Sequence, residues 1–289
     1  MNPTNYSVIS FPGLGIEINP IRTLSIGPFS IHLYGLIIAV GMFLAVIYAC
    51  KRCRQFGLTA DDLTDGVLWI VPLAILCARL YYCIFQWDSY KANPISILYI
   101  WHGGLAIYGG VIGAALGILL FARLKKVKIG AVLDITSLGF LIGQSIGRWG
   151  NFFTREAFGE ETDNFLRMGL TNAATGVTRY YHPTFLYESV WNAIGFVLLH
   201  YLSKKRKYDG QIALGYLAWY GLGRTFIEGL RTDSLYLGSF RVSQLLAAVT
   251  CFCGVALLML FAFRDHDPAK LQANIFAAQE AAKEAESEE

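Results

Sequence analysis

Residues 147–156 read Gly147-Arg148-Trp149-Gly150-Asn151-Phe152-Phe153-Thr154-Arg155-Glu156, an arginine between two glycines followed by further hydrogen-bonding and charged side chains. A guanidinium grips a phosphate through a bidentate fork. Gly150 would let backbone approach a ligand, and Asn151 and Glu156 add an amide and a carboxylate just beyond the arginine. Downstream, Tyr220, Arg224 and Glu228 are spaced four apart, so a helix stacks them along one side. Arg79 stands in an apolar run. Charge at bilayer depth costs about 2.5–3.5 kcal/mol on insertion scales, so several such groups at one depth imply a ligand or mutual pairing. The expected chemistry is capture of an anionic lipid headgroup in an electropositive hollow. The plainer readings are an Arg224–Glu228 pair that neutralises itself, and an Arg79 that snorkels to the interface.

The elements that must position these groups are membrane helices. The chain has 289 residues, 55% hydrophobic and only 16% charged, with mean hydropathy +0.45. That composition predicts an all-α integral membrane protein with seven transmembrane helices, at about 31–50, 66–87, 104–122, 131–146, 184–202, 211–229 and 242–263. The fourth is the weakest, interrupted by Gly139, Gly143 and Gly147. Basic residues cluster after the first span (Lys51, Arg52, Arg54), the third (Arg123, Lys125, Lys126, Lys128) and the fifth (Lys204, Lys205, Arg206, Lys207). The positive-inside rule makes those loops cytoplasmic, the N-terminus external and the C-terminus cytoplasmic.

In this frame Tyr34, Tyr108, Glu188, Arg79, Gln144, Arg148, Arg224 and Glu228 all fall toward the outer leaflet. Residues 1–30, punctuated by Pro12, Gly13, Gly15, Pro20, Gly27 and Pro28, form an external arm rather than a signal peptide. The catalytic helices fill 31–263, with an external head loop at 147–183, and 264–289 form a cytoplasmic polar tail, helical or disordered. A formal charge of +3, localised in anchoring loops, gives no case for nucleic acid. Cys50 and Cys53 have no second pair at zinc spacing, and the five histidines share no ligand spacing, so no metal or cofactor is expected.

Gly147 to Glu156 resembles the Gly-Arg-x-Gly-Asn-Phe-x-Asn-x-Glu signature of bacterial prolipoprotein diacylglyceryl transferases. The likeness continues in Phe11-Pro12-Gly13, Ser25-Ile26-Gly27-Pro28, Tyr34-Gly35, Ala78-Arg79-Leu80, Gly103-Gly104-Leu105-Ala106-Ile107, Gly109-Gly110, His182-Pro183-Thr184, Leu186-Tyr187-Glu188, Tyr220-Gly221, Arg224 and Glu228. The resemblance implies transfer of a diacylglyceryl group from phosphatidylglycerol to the lipobox cysteine of a preprolipoprotein, with a thioether formed and glycerol phosphate released. It implies a multi-pass protein of the bacterial inner membrane, acting within the bilayer at its extracytoplasmic leaflet. Arg148 and Arg224 would polarise the phosphate, Glu228 orient Arg224, and Asn151 and Glu156 position the headgroup or the loop. Tyr34 and Tyr220 would line the lipid site, with Arg79, Gly103, Gly104, Gly109 and Gly110 as further substrate contacts.

Two departures matter. Tyr108 replaces a histidine that many members carry before the paired glycines, and is a hydrogen-bond donor rather than a base at its ordinary pKa near 10. His102, six residues away, would substitute only if its loop folded back. Thr154 replaces the signature's second asparagine. The rival readings are a polytopic transporter, which would carry polar groups through both leaflets, and a non-catalytic binder of anionic lipid.

Overall fold

The computed structural model describes residues 6–27, 29–100, 103–232, 236–237 and 240–288; Pro28 and His102 lie outside the described residues. In chain order come β1 (Tyr6–Phe11), β2 (Ile16–Ile18), β3 (Thr23–Ile26), β4 (Phe29–His32), α1 (Leu33–Arg52), α2 (Ala60–Phe85), α3 (Trp87–Tyr90), α4 (Ile107–Leu124) and α5 (Ile129–Thr154). After these come β5 (Met168–Asn172), β6 (Thr178–Tyr181), α6 (Thr184–Ser203), α7 (Gln211–Leu230), β7 (Tyr236–Leu237), β8 (Phe240–Arg241), α8 (Val242–Ala262) and α9 (Gln272–Glu288). Helix dominates, as the composition demands, but the expectation of an all-α chain needs eight short strands added to it. Five helical segments are long and apolar enough to cross a membrane: Leu33–Phe56, α2, α4, α5 and α8. Helices α6 and α7 have 20 residues each, about 30 Å at 1.5 Å per residue, and their apolar character is diluted by Glu188 and Asn192 on one and Arg224 and Glu228 on the other.

The chain divides into two compact units. The first comprises Met1–Ile47, Ser137–Arg206 and Gln211–Asp265. Here the expected break in the fourth span is absent, for α5 runs unbroken over 26 residues and carries the motif through Thr154 as helix. The glycines read as interruptions instead make a smooth stripe against α1, with Gly139 facing Ala45, Gly147 facing Ile38, and Gly41 of α1 facing Ile146 and the Gly143 carbonyl. Small residues four apart let two helices approach closely, so propensity is overridden by packing.

The head loop therefore begins only after Thr154, and it joins the N-terminal arm in one antiparallel sheet of order β2-β1-β5-β6. Ile9, Phe11, Phe152, Phe158, Met168, Leu170, Tyr181 and Phe185 form the core of this head, so the motif's Phe152 anchors it to α5. Burial beside Tyr6 pushes the Tyr181 phenol up to about 12, keeping it neutral in this core. Arg155 closes the helix with φ 60 and is buried. A left-handed residue after a helix is usually glycine or asparagine. Here the conformation is held by bonds to the Ser7 carbonyl at 2.6 Å, the Asn19 amide oxygen at 2.9 Å and the Pro20 carbonyl at 2.8 Å, which tie the arm to the helix end.

The second unit comprises Tyr48–Thr136, Lys207–Gly210 and His266–Glu289. Helix α2 starts at Ala60, six residues before the expected span, because Thr59 and Asp62 form a reciprocal capping box. Asp62 and Asp65, which lower hydropathy there, pair with Lys125 at 3.0 and 2.7 Å. The C-terminal tail is neither disordered nor detached. Gln272 at the start of α9 is buried and accepts from the Lys128 backbone at 3.1 Å, while its own backbone N–H donates to Asp209 at 2.8 Å.

Candidate active site

Helices α5, α6 and α7 bring the charged residues together. Ser189 Oγ of α6 donates to the Ser145 carbonyl of α5 at 2.7 Å, and Ser145 Oγ returns a bond to the Ser189 carbonyl at 2.9 Å. Trp149 Nε1 adds a bond to Ser189 Oγ at 3.1 Å. Between α6 and α7 the Trp191 and Trp219 rings stack at 4.3 Å, each donating its indole N–H to the other's carbonyl, at 3.0 and 2.9 Å. Gly223 lies directly under the Trp191 ring, where a Cβ would collide with it. Gly223→Val is expected to lower stability by about 2 kcal/mol or more through overpacking, read as a fall in the thermal midpoint.

These clasps set Glu188 between two arginines. Its Oε1 lies 2.6 Å from Arg148 Nη2 and its Oε2 accepts from Arg224 Nη1 at 3.0 Å. Arg224 also pairs with Glu228, one turn on, at 2.5 Å. Glu188 and Glu228 are buried, whereas the Arg148 and Arg224 side chains keep 23% and 16% exposure. Two guanidiniums and two carboxylates sum to zero, so the expected electropositive hollow is a cluster whose cations are balanced by Glu188 and Glu228.

Beside it, Tyr220 stacks on Tyr216 at 5.6 Å, and Gln144 Nε2 donates to the Tyr216 hydroxyl at 2.9 Å. The four-residue ladder on α7 is thus as the spacing requires. Tyr34 of α1 lies on Gly150, two residues from Arg148; a Cβ at Gly150 would come within 2.6 Å of its ring. Gly150 therefore admits Tyr34, in place of the ligand approach expected from sequence.

Other predicted residues fall elsewhere. Asn151 is half-buried and Glu156 exposed, and their side chains make no hydrogen bond or ion pair among the described residues; the Asn151 carbonyl accepts from the Glu156 N–H at 3.1 Å and from Thr154 Oγ1 at 3.4 Å. Tyr108, Arg79 and Gly103, Gly104, Gly109 and Gly110 belong to the second unit. Arg79 does not snorkel. Its guanidinium is buried and donates to the carbonyls of Ile97 at 2.8 Å, Gly103 at 2.6 Å, Gly104 at 3.0 Å, Ser96 at 2.8 Å and Tyr99 at 3.3 Å. Gly103 and Gly104, at φ 85 and 78, take the left-handed backbone that turns their carbonyls onto it. All five N–H donors are used within the loop, and Gly109 packs on the Cys77 carbonyl of α2. Among the described residues Arg79, Gly104 and Gly109 make contacts within this unit, and Gly110 lies near Ala78 and Ala74. Tyr108 is largely exposed at the start of α4, its ring 6.5 Å from Tyr81.

The residue that sequence reading undervalued is Glu188. Its type and depth were visible, but nothing in the spacing of α6 shows that it bridges cations on α5 and α7.

Residues 22–260 match the family of prolipoprotein diacylglyceryl transferase. The chain belongs to that family. Its relatives include proteins named phosphatidylglycerol–prolipoprotein diacylglyceryl transferase from Listeria monocytogenes serotype 4a (strain HCC23), 40% identical over 254 residues covering 86% of this chain and 91% of the relative. Those of Limosilactobacillus reuteri (strain DSM 20016) and Bacillus licheniformis (strain ATCC 14580) are each 42% identical, covering 86% and 88% of this chain and 93% and 97% of the relative. The protein is an enzyme, a multi-pass membrane transferase, and the transporter and passive-binder readings are not favoured. The matched residues stop before the tail, so the docking of this transferase's α9 through Gln272 lies outside the family match.

Proposed function

We propose that Arg148 and Arg224 of this diacylglyceryl transferase hold the phosphate of phosphatidylglycerol while the sulfur of a lipobox cysteine attacks the adjoining glycerol carbon. The transfer itself, from phosphatidylglycerol to a prolipoprotein, follows from family membership. The observation that carries the site is two partly exposed arginines sharing one buried carboxylate. Breaking the glycerol C–O bond leaves its electrons on a phosphate oxygen, and fixed cations aimed at that oxygen stabilise the charge as it grows. A lipobox thiol, ordinarily near pKa 8.5, is a stronger nucleophile beside the same cations.

The frame we infer has seven spans, α1, α2, α4, α5, α6, α7 and α8, in the bacterial inner membrane, with the N-terminus outside and the C-terminus cytoplasmic. The basic loops at 51–54, 123–128 and 204–207 support it. The arginine cluster then belongs to the extracytoplasmic leaflet. Arg148 is six residues from the end of α5, Glu188 four from the start of α6 and Arg224 six from the end of α7. Asn151 and Tyr34 flank the phosphate, Tyr220 steadies Arg148, and Glu228 orients Arg224. Arg79 acts on the 96–104 loop rather than on lipid.

The deciding experiment supplies purified protein with phosphatidylglycerol and a lipobox peptide and looks for the thioether product by mass spectrometry. A peptide with serine at the lipobox position must give none. Product formed equally from a zwitterionic phospholipid would refute the headgroup assignment. Tyr108 is proposed as a hydrogen-bond donor to substrate. Tyr108→Phe is then expected to cut kcat/KM by about tenfold, one hydrogen bond's worth; a parental value removes Tyr108 from the mechanism.

A further inference from the structure

Sulfur attack requires that the thiol proton go somewhere, and the cluster's charge count points to the acceptor. With its four charged groups summing to zero, seating a phosphodiester adds one negative charge to a buried, otherwise balanced site. That charge competes with Glu188 for the guanidiniums the carboxylate now occupies. The two carboxylates are not equivalent. Glu228 pairs with Arg224 one turn away on its own helix and has a further partner. Glu188 is held by the two guanidiniums, and Oε1, though 2.6 Å from Arg148, receives no aligned hydrogen bond. A phosphate bound by Arg148 and Arg224 would compete with Glu188 for both guanidiniums, while Glu228 has a further partner.

A second observation lies one turn along α6. Asn192 is fully buried, and among the described residues neither its amide nitrogen nor its amide oxygen has a hydrogen-bond partner. At four residues' spacing it shares a helix face with Glu188. Buried polar atoms are normally satisfied. A protonated carboxyl satisfies both, its O–H donating to the amide oxygen and its carbonyl accepting from the amide nitrogen.

We infer that Glu188 is the general base of the transfer: the lipid phosphate displaces it from Arg148 and Arg224, and it then takes the proton of the cysteine thiol. This rests on the phosphate site proposed above. The sulfur electron pair forms the S–C bond, the glycerol C–O bond breaks with its electrons on the phosphate oxygen, and the S–H proton passes to the Glu188 carboxylate. The leaving phosphate goes from one negative charge to two while Glu188 goes from one to none. The lipid-occupied cluster therefore stays at one net negative charge throughout. Asn192 is the positioning residue that receives the acid form, and the departing glycerol phosphate carries the proton away.

The test uses the full-length protein, measuring phosphatidylglycerol affinity and turnover of a lipobox peptide across pH. Glu188 is faced by Arg148 from α5, by Arg224, Tyr220 and Tyr216 from α7, and by Asn192 on its own helix, with Glu228 behind Arg224. Glu188→Gln is expected to bind phosphatidylglycerol as well as the parent or better and to lose about 10²-fold or more in kcat at neutral pH. Its residual rate should climb about tenfold per pH unit toward the thiol's own pKa of about 8.5. Glu188→Asp, which keeps a carboxylate, should hold kcat within about tenfold of the parent. It decides the matter if the glutamine variant does not fold: an aspartate variant with parental affinity and no new alkaline limb supports the base. Parental kcat in Glu188→Gln, or affinity and kcat falling together in either variant, overturns it. A parental protein that does not bind phosphatidylglycerol overturns the phosphate site instead, and this inference with it.

Discussion

Arg148→Ala is expected to lower diacylglyceryl transfer by about 10³-fold or more while the protein stays folded and inserted. The size follows from removing a preorganised donor aimed at developing charge, worth about 3–4 kcal/mol where water is excluded. The fold should survive because Glu188 keeps its aligned bond to Arg224 at 3.0 Å, and the serine and tryptophan clasps that fix α5, α6 and α7 do not involve Arg148. Arg148→Lys should recover only part of the rate, since an ammonium supplies charge without the planar fork. Peptide turnover together with a thermal midpoint settles the matter. A folded alanine variant with parental turnover would remove the arginine from catalysis, and a collapsed midpoint would make it a structural ion-pair member.

Arg79→Ala is expected to act in the opposite way, through stability. One guanidinium satisfies the carbonyls of Ser96, Ile97, Tyr99, Gly103 and Gly104 and lies 5.2 Å from the Tyr90 ring. Removing it takes the donor from five carbonyls of partly exposed residues, at about 0.5–1.5 kcal/mol for each bond, so a loss of about 3 kcal/mol or more is expected. Lysine should not rescue it, because three donors on one nitrogen cannot reach five carbonyls arranged around a plane. Thermal unfolding and limited proteolysis of residues 94–104 read the effect. A lysine variant as stable as the parent would show that the fivefold cage is dispensable.

The apolar blocks placed all seven long helices before residue 263, and helical spacing placed Tyr220, Arg224 and Glu228 on one side of α7. Those are local properties, and period and length carry them. What sequence hid was long-range. Gly139, Gly143 and Gly147 read as interruptions because a glycine's local preference is against helix, while the compensating partner, α1, is a hundred residues earlier. Arg79 and Arg148 look alike in sequence, each an arginine in apolar surroundings. One is spent on carbonyls of a following loop and the other faces outward beside Glu188. Glu188 was undervalued because its role comes from helices on both sides of it, and Arg155 because a helix end rarely takes a left-handed arginine.

The pairing of β1 with β5 sets a parity rule on how the chain is threaded. Ile9 faces Leu170 and Ser10 faces Gly169 in one hydrogen-bonded ladder, although α1, α2, α4 and α5 intervene. Strands cannot share such a ladder through hydrocarbon. In the seven-span frame proposed above, the chain traverses the bilayer an even number of times between Phe11 and Met168, and the four apolar helices there are consistent with that parity. Gain or loss of a single traverse in that stretch would strand the two halves of the ladder on opposite sides, so the ladder that caps the arginine-bearing helices also proofreads their threading.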